Sequence, residues 1–254
     1  MSNSQNETLD FQIMSDLHLE LLDTNPDIED YIIPKSEILI LAGDIGRIYK
    51  YEQLKTFLSS LCKKFKYVLY VLGNHEFYRV KDKEEKGMNE LIQDVKNMNI
   101  KNLIVLNRDS VIIKNVCIIG CTLWSKTTVD IPKFIVRISN MDTRNYNILH
   151  SKDLRYIQYM INYCKNKGLK LVVVSHHCPT YKVLENKQSD KYSSLYGSHL
   201  DYLLKSDNIH TWIFGHNHKN YDFISENGTR LVSNQKGKPK DNITDFSKEK
   251  IITV

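Results

Sequence analysis

The chain has 254 residues, of which 41% are hydrophobic and 26% charged. This length can bury a sizeable core, and the composition excludes wholesale disorder and a collagen-like chain. The net charge of +5 is a mild basic excess that permits an anionic substrate without identifying one.

Residues 1–10 are polar and lack the apolar stretch of a secretory leader. Six short runs rich in Val, Ile, Leu and aromatics follow, and the sequence predicts buried strands over 11–14, 38–42, 67–72, 116–121, 171–175 and 211–214. Helices are expected over 49–64, 83–99, 151–167 and 199–205; in the third, Leu154, Ile157, Ile161 and Cys164 form a stripe at helical spacing, and Gly168 suits a C-cap. Near the end, 222–225 and 229–233 flank Glu226-Asn227-Gly228, a hairpin turn. Helices alternating with strands predict an α/β fold. The chain reads as a single domain over 1–254, with irregular insertions at about 122–150 and 179–198 and a C-terminal tail from about 235.

Five cysteines, an odd number with no Cys-x-x-Cys pair, read as free thiols in a reducing compartment. The longest apolar runs are strand-sized, far short of a membrane span. A soluble, intracellular, cytoplasmic protein with no membrane partner is therefore expected. Oligomeric state is not legible.

Six of the nine histidines fall in four short clusters: Asp16-Leu17-His18, Gly73-Asn74-His75-Glu76, Ser175-His176-His177 and Gly215-His216-Asn217-His218. Together with Gly43-Asp44, each cluster follows a predicted strand. In sheets with parallel strands, ligands collect at the strands' carboxyl ends. Gly43, Gly73 and Gly215 suit tight turns near a crowded site. Asp16, His18, Asp44, Asn74, His176, His216 and His218 supply carboxylate, amide and imidazole donors and no thiolate. That set favours Mn, Fe, Zn or Ni over a structural Cys-type zinc. Seven donors exceed the needs of one tetrahedral ion and suit two divalent ions about 3.5–4 Å apart that share a carboxylate. Such a pair can generate hydroxide at neutral pH and neutralise a phosphoryl group during in-line attack.

In this order, the motifs resemble those of the calcineurin-like metallophosphoesterases, over about residues 11–234. The resemblance implies two mixed β-sheets packed as a sandwich flanked by helices, a four-layer α/β/β/α arrangement, with a two-metal site at one edge. It implies that Asp16, His18 and His218 bind one metal, that Asn74, His176 and His216 bind the other, and that Asp44 bridges them. His75 would face the scissile phosphate as general acid or charge stabiliser, a task suited to a pKa near neutrality. Glu76 either orients His75 or is structural. The stretch Gly43-Asp44-Ile45-Gly46-Arg47 lacks the Asp-Arg-Gly of the serine/threonine protein phosphatases, which disfavours that branch.

On the substrate side, Arg47 and Arg79 follow two metal motifs and have the fork that grips phosphate. Trp124 follows a predicted strand and either lines the site or packs in the core. Tyr181, Tyr192 and Tyr196 read equally as base-stacking residues or as products of a tyrosine-rich composition. The basic run from Lys236 to Lys240 reads as a solvated tail segment, with phosphate or nucleic-acid contact as the lesser alternative. The expectation is a dinuclear, manganese-dependent phosphodiesterase acting on a phosphate ester, nucleotides and nucleic acid included. The alternatives are a nuclease or RNA-processing enzyme, and a non-catalytic metal-binding interaction module.

Overall fold

The predicted strands are apolar at successive positions rather than at alternate ones, which implies that both faces are covered. The computed structural model, which describes residues 8–81, 83–184 and 190–254, shows how. Strands β1 (Asp10–Met14), β2 (Ile38–Ala42), β3 (Tyr67–Val71) and β4 (Leu103–Leu106) run parallel, and β11 (Ile251–Thr253) pairs antiparallel to β1. The second sheet has the order β5-β6-β7-β8-β10-β9. Its parallel centre is β6 (Val116–Cys121), β7 (Lys170–Ser175), β8 (Thr211–Ile213) and β10 (Arg230–Val232). The antiparallel edges are β5 (Asp109–Ile113) and β9 (Asp222–Ile224).

Alternate side chains sort into separate layers. Ile38, Ile40 and Ala42 of β2 meet Val172 and Val174 of β7 between the sheets. Leu39 and Leu41 point the other way, into a cluster with Leu54, Phe57, Leu58 and Leu61 of α1 (Tyr51–Cys62) and with Leu91, Ile92 and Val95 of α2 (Met88–Lys96). Leu171 and Val173 turn toward Ile157, Met160, Ile161 and Cys164 of α3 (Thr143–Lys167). The order helix, sheet, sheet, helix is the sandwich that the resemblance implied. All five cysteines are free, four of them buried. Among the described residues, no helix is long and apolar enough to cross a membrane.

Several expectations are corrected. The third helix begins at Thr143, well before 151, because the Asp142 side chain caps it by accepting from the Asn145 amide at 2.7 Å. The second begins only at Met88, after Gly87. Over 199–205 a single 3₁₀ turn forms, Asp201–Leu203, since so short a segment does not repay helix nucleation. The C-terminal residues are no loose tail. Gln235 is fully buried, and β11 closes the edge of the first sheet. Residues 185–189 of the second insertion lie outside the described residues.

Candidate functional site

Parallel register aligns the carboxyl ends of β1, β2 and β3 in one sheet and those of β7 and β8 in the other. The loops leaving these five ends carry all seven predicted donors to one edge of the sandwich. Asp16, His18, Asp44, His216 and His218 all have positive φ, between 50° and 76°. Left-handed backbone costs any side chain something, though Asp and His tolerate it better than most, and five of the eleven non-glycine residues that adopt it among the described residues fall in this cluster. The adjacent glycines make room. A Cβ on Gly215 would lie 2.6 Å from Asp16 Oδ2, and one on Gly43 would collide with the His176 ring.

The ring orientations are set from behind. His176 Nδ1 donates to the Ala42 carbonyl at 2.9 Å, and His218 Nδ1 donates to Asp241 Oδ2 at 2.6 Å. Each ring therefore turns Nε2 inward. His176 Nε2 lies 3.0 Å from Asn74 Oδ1, 3.2 Å from His216 Nδ1 and 3.3 Å from Asp44 Oδ1. His218 Nε2 lies 2.9 Å from His18 Nε2 and 3.4 Å from Asp16 Oδ1. Asp16–His18–His218 and Asp44–His176–His216 each converge tightly enough to hold a metal ion.

The chemistry of this donor set fits divalent cations. Lone pairs crowd together with few protons among them, and bonds of about 2.1 Å to one ion place adjacent ligands about 3.0–3.4 Å apart. The charge balance agrees. Burial disfavours charge on His176, yet Asp44 overrides it and pushes the ring up to about 9. Asp44 is itself held well below the usual carboxylate range, burial being outweighed by His176, His75 and His18. Without metal, protons on imidazole have to supply the positive charge that this cluster demands.

His75 stands beside the cluster. Its amide donates to Asp44 Oδ1 at 2.8 Å, and its Nδ1 donates to Glu20 Oε1 at 2.8 Å. Nε2 is thereby turned toward the cleft, 4.0 Å from Asp44 Oδ2. Glu20 also accepts from His18 Nδ1 at 3.2 Å. Burial raises its pKa, but the hydrogen bonds from His18 and His75 prevail and bring it to about 2. Sequence reasoning missed Glu20, which lies two residues beyond a predicted ligand and could have been suspected on that ground alone. Glu76 does not orient the His75 ring. It accepts from the amides of Gly73, Asp44 and Ile45 and from the Tyr70 hydroxyl, tying the β2 and β3 loops together.

A cleft of about 320 Å³ opens over this edge. Asp44, Asn74, His75, His216 and His218 form its floor, and Tyr78, Trp124, Tyr192 and Tyr196, with Leu195 among them, form a largely aromatic wall. Trp124 combines both of its readings: it lines the cleft, yet it is only 2% exposed and packs on Phe77 and Tyr146. His177 lines the cleft with Nδ1 on the Thr122 carbonyl, and burial with the neighbouring His176 drives it down to about 3, so it stays neutral.

Neither arginine singled out from the sequence lines this cleft. Arg79 pairs with Glu85 and borders a separate surface cavity. Arg47 is half-buried, its pKa lowered by that burial while Glu20 opposes the effect. Among the described residues, the cations that reach the cleft are Arg137, Lys238 and Lys240, two of them from the supposed tail.

Comparisons with known proteins agree with this architecture. A mimivirus protein, L509 of Acanthamoeba polyphaga mimivirus, is 26% identical over 254 residues, covering 88% of this chain and 89% of the relative. The crystal structure of phosphopantetheinyl hydrolase from Mycobacterium tuberculosis superposes with a TM-score of 0.74 at 16% identity, covering 95% of each chain. A dimetal phosphatase from Danio rerio superposes with a TM-score of 0.55 at 12% identity, covering 89% of this chain and 86% of that one. The model of the calcineurin-like phosphoesterase family matches residues 10–220, most of the chain. With the strand-end donors gathered at one sheet edge and that match running through all of them, the chain belongs to the calcineurin-like phosphoesterases.

Proposed function

We propose that the chain hydrolyses phosphodiesters with two divalent cations, Mn²⁺ being the expected metal. Asp16, His18 and His218 would hold one cation and Asn74, His176 and His216 the other, with Asp44 shared. One observation carries the reading: inward-facing donors 2.9–3.4 Å apart, on rings whose far nitrogens are already engaged. When bound, the cations would act as Lewis acids on the phosphoryl oxygens and make an attacking water more acidic.

The chain's own residues divide the remaining work. Burial lowers the His75 pKa, and Asp44 and Glu20 oppose it; Glu20 also fixes the tautomer, so that Nε2, when protonated, can pass a proton to the departing oxygen. Glu76 holds the Asp44 and Gly73 turns in place. The aromatic wall offers a surface for a second ester substituent, which supports a diester over a monoester.

The test sets bis(p-nitrophenyl) phosphate beside p-nitrophenyl phosphate with Mn²⁺ present, and metal content is measured on the same sample. The diester should turn over faster, with two ions per chain. Turnover of the monoester alone would overturn the diester preference. If both ions are bound and a broad panel of esters stays intact, the chain is a metal-binding interaction module. Oligonucleotides in the same panel, with salt dependence followed, separate out a nuclease.

A further inference from the structure

The C-terminal segment reaches back into the cleft, and nothing in the metal site requires it to carry a lysine there. Lys238 Nζ lies 3.4 Å from His75 Nε2. The approach is built rather than incidental. The Lys238 amide donates to Asp241 Oδ2 at 2.8 Å, and the same oxygen accepts from His218 Nδ1. Gln235 anchors the start of the segment, its Oε1 accepting from the His218 amide at 2.7 Å and its Nε2 donating to Asn217 Oδ1 at 2.7 Å. Gly237 between them has φ +68°, and a Cβ there would lie 2.9 Å from Ile243 Cγ1.

These contacts hold the backbone from which the Lys238 side chain extends, and among the described residues no carboxylate lies within ion-pair distance of its ammonium, although Asp241 is near enough to feel its charge. The nearby carboxylates are committed elsewhere: Asp241 to His218 and its own turn, Glu20 to His18 and His75, Asp44 to His176. The ammonium thus stands beside the His75 nitrogen that faces the cleft, so that an anion bound there meets both groups.

We propose that Lys238 is a catalytic residue whose ammonium contacts the leaving-group oxygen of the scissile phosphodiester beside His75. This rests on the phosphoesterase reading. As the P–O bond breaks, its electron pair stays on the leaving oxygen. The ammonium donates a hydrogen bond to the charge that develops there, and the proton that completes the alcohol comes from His75 or from water. A charge-assisted bond of this kind, strongest in the transition state, changes rates by about 10- to 100-fold.

The experiment compares Lys238→Met and Lys238→Arg with the unaltered protein, all loaded with Mn²⁺. It uses two diesters that share the same retained ester substituent on phosphorus, one leaving as p-nitrophenolate and one as an alkoxide. The affinity for inorganic phosphate is measured in parallel by calorimetry. Lys238→Met should lose about 10- to 100-fold in kcat on the alkoxide substrate and less than about threefold on the nitrophenyl one, because the poorer leaving group carries more charge. It should bind phosphate about tenfold more weakly, and Lys238→Arg should recover part of both losses. Lys236→Met serves as control, since that ammonium sits over the Tyr31 ring and does not line the cleft. Equal losses on the two diesters, or none, would overturn the assignment even in an active enzyme. An inactive enzyme whose phosphate affinity still depends on Lys238 would keep the anion contact and sink the phosphoesterase reading instead. Phosphate affinity unchanged by Lys238→Met would sink the contact whatever the activity.

Discussion

On one side of the cleft, Asp16, Asp44, Asn74 and His176 stand one to three residues beyond β1, β2, β3 and β7. Their positions are set by buried parallel strands in fixed register. On the other side, Glu20, Trp124, Tyr192, Lys238 and Asp241 come from turns, a long connection and the C-terminal segment, and Glu20, Lys238 and Asp241 meet the histidines His18, His75 and His218. The difference teaches where precision comes from. The sheets place the donors, whereas the loops orient them and supply the charge that faces the substrate.

The most severe break removes a strand-end donor. Asp44→Asn keeps the size of the side chain but loses the carboxylate that pairs with His176. Activity on a phosphodiester should fall on the order of 10³-fold, with metal content reduced. Near-normal turnover would contradict a shared role for this group. Next comes the residue where the two regions meet. His75→Ala should cost about 10²-fold or more in kcat with metal content unchanged. Glu20→Gln, which leaves the ring and loosens its anchor, should cost less.

How much of this was legible in the sequence follows the same division. Runs such as 38–42 and 171–175 announce strands covered on both faces, and the donors immediately beyond them are local in sequence. Glu20 gave little local signal, because its meaning depends on a ring 55 residues away. Asp241 gave none, and Lys238 only the weak hint of a basic run that can meet phosphate, since the segment looks like a solvated tail until β11 pairs with β1 across most of the chain. Three-residue β11 has too few positions to show a period. The early start of α3 was hidden because Tyr146 and His150, buried on its inner face, are not aliphatic markers.

Weaker perturbations sharpen the comparison within the loop side. Asp241→Asn weakens the acceptor behind His218 while leaving every strand-end donor itself unaltered. Metal affinity should drop about 10- to 100-fold, read by chelator competition, while the fold is retained. An unchanged affinity would show that His218 needs no anchor from the C-terminal segment.

The smallest effect lies farthest from the cleft. Asp222 accepts from Arg230 and from Lys250, joining β9 and β10 to the chain that leads into β11. Arg230, helped by Lys250, brings its carboxyl down to about 2, below the ordinary 3.8. Its contribution is therefore complete above about pH 3.8 and is lost as pH falls through about 2. Because solvent reaches the pair, Asp222→Asn should cost only about 1 kcal/mol at neutral pH, measured by urea unfolding, and the cost should vanish in strong acid. A cost that persists there would assign the effect to packing.

The central claim is that the strand-end donors are built for divalent cations. Equilibrium dialysis against Mn²⁺ followed by elemental analysis tests it without reference to any substrate. The unaltered protein should retain two ions per chain, and Asp44→Asn should lose at least one of them. A chain that retains no ion, or a variant that binds as the unaltered protein does, would contradict the account.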